Sequence, residues 1–384
     1  MFNLLSFLDS TIFCILLIGV VYLFVFAYFA MKKPNIQYRK SNKLSKIAVF
    51  FPAYKEDSVI IDSISSFLKQ SYSKNLYQII LIADGFKEST LDILKELPIQ
   101  VLAVNFTSST KAKALNYAVE QIKDTNFEIA VILDADNKTD ANFLADINDA
   151  FCDGIKAIQA HRVAANLNSD TAVLDAVSEE INNSIFRRGH VRAGFSSALI
   201  GSGMAFSYDW FKDNIKLTIS AGEDKELEKL LLKQGIYIAY LPNTFVYDQK
   251  VANSKNFYKQ RRRWMAAQLD IMSHSTGDFV NSLLKGNWDY ANKIFQWMML
   301  PRVILLALII LMTALISFIE FRWAIKWWGL LFLFLITMAM ALPDNLVDKK
   351  FKRAMRHIPI LAIYMILNLF RLKGVNKKFI HTEH

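Results

Sequence analysis

The amino-acid sequence predicts an α/β protein: a cytosolic domain built on an open, Rossmann-like sheet, plus α-helical transmembrane segments. Two observations predict this. Between residues 46 and 266, short apolar runs of strand length alternate with stretches of helical period, and long uncharged runs lie on both sides of that section. Composition agrees. Hydrophobic types make up 53%, a little above the soluble norm of about 45–50%. Charged types make up 21%, which excludes a disordered polyelectrolyte. Cys14 and Cys152 lie far apart, which excludes a disulfide scaffold and a Cys-rich zinc module and suits a reducing compartment.

Residues 1–10 read as an N-terminal tail. Residues 11–31 carry no charge and are long enough to cross a hydrocarbon core of about 30 Å. The run is too long for a signal-peptide core and lacks a basic leader, so a retained span is expected. Residues 32–45 form a basic juxtamembrane linker with Lys32, Lys33, Arg39, Lys40 and Lys43. Then come buried-type strands at 47–51, 79–83, 99–104 and 129–133, with helices at 57–70, 88–96 and 111–123 between them. That βαβαβ rhythm predicts the open, doubly wound sheet. Less regular pieces follow: a strand near 155–160, a helix near 169–188, a strand near 203–207, a helix near 223–234 and a helix starting near 254. Residues 267–302 read as amphipathic, interfacial helices. Spans are expected at 303–319 and 325–342, with a basic cytoplasmic loop at 343–357. Residues 358–370 are short for a span and read as interfacial or as a short membrane helix; 371–384 form a cytoplasmic tail.

The formal net charge is +10, from 45 Lys plus Arg against 35 Asp plus Glu. The basic excess flanks the apolar runs, at 32–46, at 349–356 and in the tail, while the turn between the second and third spans holds only Glu320, Arg322 and Lys326. The positive-inside rule therefore puts the middle section and the tail in the cytoplasm of a multi-pass inner-membrane protein. Membrane lipids are expected partners. Nucleic acid is not, because these cations border spans and do not share one soluble face.

Ligands of open α/β sheets lie beyond the carboxyl ends of the strands. Here those ends read Pro52-Ala53-Tyr54-Lys55-Glu56-Asp57, Ala83-Asp84-Gly85 and Asp134-Ala135-Asp136-Asn137. Asp134 and Asp136 share a strand face and repel each other unless a divalent cation sits between them; the alternative is a solvated pair capping the next helix. Asp84 is a candidate for a base or ribose, and Tyr54 for packing on the base. Lys111, opening a helix, is a candidate for a diphosphate or a solvated lysine. Glu223-Asp224 opens another helix, either as a cap or with one carboxylate as general base. Gly201-Ser202-Gly203 lets backbone approach a ligand. In Gln260-Arg261-Arg262-Arg263-Trp264 the arginines are either headgroup anchors or diphosphate ligands beside a sugar-stacking tryptophan.

Taken together, the strings PAYKED (52–57), ADG (83–85), KAKALN (111–116), DAD (134–136), GSGMAF (201–206), GED (222–224) and QRRRW (260–264) resemble the membrane-bound branch of glycosyltransferase family 2, which includes cellulose, hyaluronan and chitin synthases. The resemblance implies a GT-A domain taking a nucleotide-sugar donor, a UDP-sugar above all. It implies donor-binding roles for Tyr54, Glu56, Asp84, Lys111, Asp134 and Asp136, with Mg2+ or Mn2+ on Asp136. It implies Asp224 as catalytic base, and Gly203, Glu223, Gln260, Arg263 and Trp264 around diphosphate and acceptor. Gly222 stands where the family often has threonine. The expected acceptor is a growing polysaccharide, with export partners, which fits the Gln260–Trp264 string; the alternative, a lipid-linked sugar, fits the small number of spans. An inactive scaffold of a polysaccharide-assembly complex is the rival of a different class. The tail, with His381 and His384, is similar to tails of short bacterial members.

Overall fold

In the computed structural model, the described residues are 2–32, 37–122, 126–220, 222–251 and 253–369. Lys33 and the tail with His381 and His384 lie outside them. The chain opens with helix α1 (Phe2–Met31). The middle section runs β1 (Ile47–Tyr54), α2 (Ile60–Phe67), β2 (Tyr77–Asp84), α3 (Glu88–Lys95), β3 (Gln100–Val104), α4 (Lys111–Gln121), β4 (Ile129–Ile132), β5 (Lys138–Thr139), α5 (Phe143–Cys152), β6 (Ala157–Ala164), α6 (Asp170–Asn182), α7 (His190–Arg192), β7 (Met204–Ser207), α8 (Tyr208–Asn214), α9 (Glu223–Lys233) and β8 (Ile238–Asp248). Helices α10 (Ser254–Ser273), α11 (Phe279–Leu284), α12 (Trp288–Met298), α13 (Arg302–Ile319), α14 (Phe321–Ala341), α15 (Lys349–Ala354) and α16 (Ile358–Leu369) follow.

The eight strands form one mixed open sheet in the order β3-β2-β1-β4-β7-β6-β8-β5. The β3-β2-β1-β4 half is parallel, as the βαβ rhythm predicts, and β7 joins antiparallel to both β4 and β6. β1 is apolar on both faces because both are covered. Val49 and Phe51 pack with Ile64, Phe67 and Phe143, while Phe50 packs on the other face with Leu115, Phe206 and Phe211. The long strand β8, parallel to β6, was not expected from the sequence. Its Pro242 and Asn243 interrupt the apolar pattern at the register shift after Ala160.

Among the described residues, three helices are long and apolar enough to cross a membrane: Leu5–Met31, Arg302–Ile319 and Phe321–Ala341. The first starts before residue 11, because residues 2–10 continue the same helix and do not form a separate tail. Asp9 is the reason a charge is tolerated there. Its carboxylate lies 2.5 Å from Lys326 Nζ and accepts a 2.8 Å hydrogen bond from Trp327 Nε1. The turn between the second and third spans shrinks to Glu320, so Arg322 and Lys326 are helical. Val20, Leu23, Ile309, Trp327 and Phe334 pack these helices together. α1 also lies against the wide π-type turn Asn183–Gly189 that continues α6; Gly189 is required there, since a Cβ would collide with the Phe26 carbonyl. α16 packs on α10 and α13.

Candidate active site

The register of β1 on β2 sets Tyr54 directly opposite Asp84. β4 pairs with β1 only as far as Ile132, so Asp134 and Asp136 leave the sheet over the same edge. Tyr54, Glu56, Asp84, Asp134 and Asp136 all line one cavity of about 790 Å3. At the corner, Lys55 has a φ of 56°, a strained value for a side-chain-bearing residue, and its N–H donates to the Asp84 carbonyl at 3.0 Å. Asp84 is buried and its Oδ1 accepts from the Phe106 N–H at 3.1 Å.

Lys111 opens α4 behind the Thr110 cap. Its Nζ lies 2.5 Å from Asp134 Oδ1, 2.6 Å from the Gly201 carbonyl and 3.7 Å from Glu223 Oε1. Burial works against its charge, but Asp134 and Glu223 hold its pKa above the ordinary lysine value. Glu223 is pushed up to about 7, by burial first and with Asp224 adding to it, while Lys111 opposes. Asp224 lines the cavity one residue on, with its Oδ2 4.0 Å from Lys225 Nζ. The two readings of the Glu-Asp pair meet here: both residues lie in the first turn of α9 and both face the cavity.

Asp136 accepts from Asn137 Nδ2 at 3.1 Å and from the Gln249 N–H at 3.2 Å. Burial, then the charges of Asp248 and Asp134, push its pKa well above the usual carboxylate range. Crowded acids with oxygen-only donors fit a divalent cation, which would remove that repulsion. Among the described residues no three His, Cys, Asp or Glu side chains are arranged to hold a metal alone. The residues therefore suit an ion that shares its coordination with a phosphate ligand and water, as Mg2+ and Mn2+ do.

α10 turns Gln260, Arg263 and Trp264, spaced i, i+3 and i+4, onto the cavity. Arg263 has Glu223, Asp134 and Asp224 as charged neighbours; burial lowers its pKa and these acids resist the fall. Arg261 also lines the cavity but is neutralised there. It pairs with Asp175, and its guanidinium lies 4.8 Å and 4.6 Å from the ring centres of Phe257 and Trp264. Gly203 differs from expectation. It does not line the cavity; Gly201 does. Gly203 is instead fixed by packing, with φ +65° and a site where a Cβ would come 2.8 Å from Val246 Cγ2.

A buried ionic cluster beside Asp136 escaped the sequence reading. Arg162 Nε donates to Glu179 Oε1 at 2.6 Å, Lys250 bridges Glu179 and Asp248, and Asp248 Oδ1 accepts from Asn137 Nδ2 at 3.3 Å. Burial raises the Asp248 pKa, but Lys250 and Arg162 bring it below the usual value. The available signal was the polar run within β6, where Gln159, His161 and Arg162 interrupt a buried strand.

The sequence from residue 45 to residue 267 matches the family described as "Glycosyltransferase like family 2". A Methanococcus voltae enzyme, dolichyl N-acetyl-alpha-D-glucosaminyl phosphate 3-beta-D-2,3-diacetamido-2,3-dideoxy-beta-D-glucuronosyltransferase, is 23% identical over 236 residues, covering 58% of this chain and 72% of its own. The mannosyltransferase PcManGT from Pyrobaculum calidifontis, solved in complex with GDP-Man and Mn2+, shares the fold at a TM-score of 0.63 and 14% identity, over 95% of this chain and 98% of its own. The family match covers more than half of the chain and contains every strand of the sheet and all the strand-end acids. The chain is a glycosyltransferase and belongs to glycosyltransferase family 2.

Proposed function

We propose that this chain is a membrane-anchored, inverting glycosyltransferase that moves a sugar from a nucleoside diphosphate sugar to a lipid-linked acceptor at the cytoplasmic face of the membrane. One observation carries the choice of acceptor. The cavity that holds Asp84, Asp134 and Asp224 continues to Leu306 of α13, to Phe334 and Met338 of α14, and to Met365 of α16. A water-soluble acceptor has no use for that apolar extension, whereas a hydrocarbon chain can pass into it from the bilayer without exposing its CH2 groups to water. The Methanococcus voltae relative is named for a dolichyl-linked acceptor. The polysaccharide reading of the cellulose- and hyaluronan-synthase branch rests on the Gln260–Trp264 string alone.

In this reading Tyr54 and Asp84 hold the nucleoside, and Lys111 and Arg263 meet the diphosphate. Asp136, backed by Asp134, would hold Mg2+ or Mn2+, which supplies positive charge against the leaving diphosphate. Asp224 takes the proton from the acceptor hydroxyl as its oxygen bonds to the anomeric carbon. The bond from that carbon to the diphosphate oxygen breaks, and the nucleoside diphosphate leaves. A single displacement inverts the anomeric configuration. Multi-pass placement, with the 46–266 section cytoplasmic, is inferred from the basic flanks of the apolar helices.

A panel of UDP- and GDP-sugars, with and without Mn2+, tests this. Nucleotide release together with radiolabel that partitions into organic solvent is expected. Water-soluble products of increasing length would favour the polysaccharide, and no release with any donor would favour the inactive scaffold.

A further inference from the structure

The bilayer end of the cavity carries two arginines, Arg187 buried and Arg302 half-buried, that no carboxylate pairs with. Arg187, in the π-type turn after α6, is 2% exposed. Its Nε donates to the Ala198 carbonyl at 3.2 Å and its Nη1 to Asn183 Oδ1 at 2.7 Å, both neutral acceptors. Arg302 is the first residue of α13, where that helix enters the apolar region. Its Nη2 donates to the Ser178 carbonyl at 2.9 Å and to Ser178 Oγ at 3.3 Å, again neutral, and its Nη1 is buried without a partner. Among the described residues neither guanidinium has an Asp or Glu oxygen within 4.0 Å; Arg261, the third arginine of the group, has Asp175. The charges acting on Arg302 are those of the cations Arg261 and Arg187. Glu179, whose charge acts most on Arg187, is itself engaged by Arg162 and Lys250. Arg187 and Arg302 both line the cavity, beside Ser178 and below Leu306 and Met338.

Burying a guanidinium without a counter-charge costs several kcal/mol. A fold that buries Arg187 whole and Arg302 Nη1 without a partner, on the wall of one cavity, leaves a deficit that an anion would offset. We infer that Arg187 and Arg302 form the binding site for the phosphate group of a long-chain lipid phosphate, whose hydrocarbon tail follows Leu306, Phe334 and Met338 between the spanning helices. The inference rests on the lipid-acceptor reading and sharpens it: the carrier is a phosphate ester, held by a site separate from the diphosphate-facing Lys111 and Arg263. Arginine suits this role, because its planar fork matches phosphate oxygens and stays charged when buried.

The test uses the full-length protein in detergent. Geranylgeranyl phosphate, geranylgeraniol, inorganic phosphate and phosphatidylglycerol vesicles are each titrated, with UDP and GDP binding measured alongside. The prenyl phosphate is expected to bind about tenfold or more tighter than the alcohol, the worth of one charge-assisted contact. Inorganic phosphate should be much weaker than the prenyl phosphate, and the vesicles should not compete with it. Arg302→Gln should remove most of the phosphate preference, Arg302→Lys should retain part of it, and Arg322→Gln, outside the site, should change nothing. Equal binding of alcohol and phosphate in the wild type overturns the phosphate site and leaves the lipid reading standing; that comparison needs no variant. An undiminished preference in Arg302→Gln with intact nucleotide binding overturns the assignment to this residue. Full competition by phosphatidylglycerol assigns the arginines to bulk headgroups and overturns the acceptor site. Failure of both prenyl compounds to bind, with nucleotide bound normally, defeats the lipid-acceptor reading itself.

Discussion

At the sheet end of the cavity, Lys111 meets Asp134 at 2.5 Å, and Glu223 and Asp224 stand close by. At the bilayer end, Arg187 and Arg302 meet only carbonyl, amide and hydroxyl oxygens. One end has more acid than base and suits a cation with a polyphosphate; the other has two arginines left over once Asp175 pairs with Arg261 and Glu179 with Arg162 and Lys250, and suits a single anion. The difference also appears in the backbone. The sheet end is built from strand ends and tight turns, with Lys55, Gly85, Gly201 and Gly203 all at positive φ. The bilayer end is built on helices, whose regular backbone holds apolar walls at fixed spacing. A charged reaction centre needs groups placed from several directions, which strand ends supply. A hydrocarbon channel needs only a smooth, dry wall.

If the sheet end is the chemical end, the largest effect belongs to Asp224. Asp224→Asn is expected to lower turnover by about 10²–10⁴-fold while donor binding, followed by titration with the nucleoside diphosphate, is kept. Full turnover in that variant would erase the contrast between the ends. Next comes Glu223, whose folded-state pKa of about 7 lies above the ordinary value of 4.5. The folded state therefore holds its proton more tightly than the unfolded chain. That contribution is fully present below about pH 4.5 and is lost as pH rises through about 7. Denaturant titrations of the metal-free protein from pH 5 to pH 8 should show stability falling with pH, by at most about 3 kcal/mol at ~1.4 kcal/mol per pKa unit. Glu223→Gln should flatten that slope.

Gly203→Ala should cost about 1–3 kcal/mol, seen as a lower melting temperature, because the new Cβ meets Val246 and the backbone is left-handed. Retained donor affinity in the folded fraction would agree with its packing role, apart from the cavity wall. The smallest effect is expected at the bilayer end. Met338→Ala should raise KM for a long-chain acceptor by a few-fold, at the ~25 cal/mol per Å2 that apolar burial is worth, and leave kcat and a short-chain acceptor unchanged. An equal loss with both acceptors would break the division of labour.

The parallel half of the sheet could be read from runs such as Ile47–Phe51 and Ile79–Ala83, because a strand buried on both faces is apolar without interruption. The strand-end acids were legible for the related reason that a charge after such a run has only the sheet edge to occupy. α5 and β8 were missed. α5 went unread although Phe143, Leu144, Ile147 and Ala150 recur at helical spacing, and β8 is broken by Pro242 and Asn243.

By itself, the sequence determined which residue types exist at the strand ends and which helices are apolar enough to leave water, since both follow from short-range pattern. It did not determine that residues 2–10 are helical, because Asp9 is acceptable there only through its contacts with Lys326 and Trp327, more than three hundred positions away. It singled out Arg263 by resemblance, but did not show that Arg261 pairs with Asp175 or that Arg263 has Glu223 as a charged neighbour. Such choices depend on which side chain a folded neighbour can reach, and only the packed chain sets those distances.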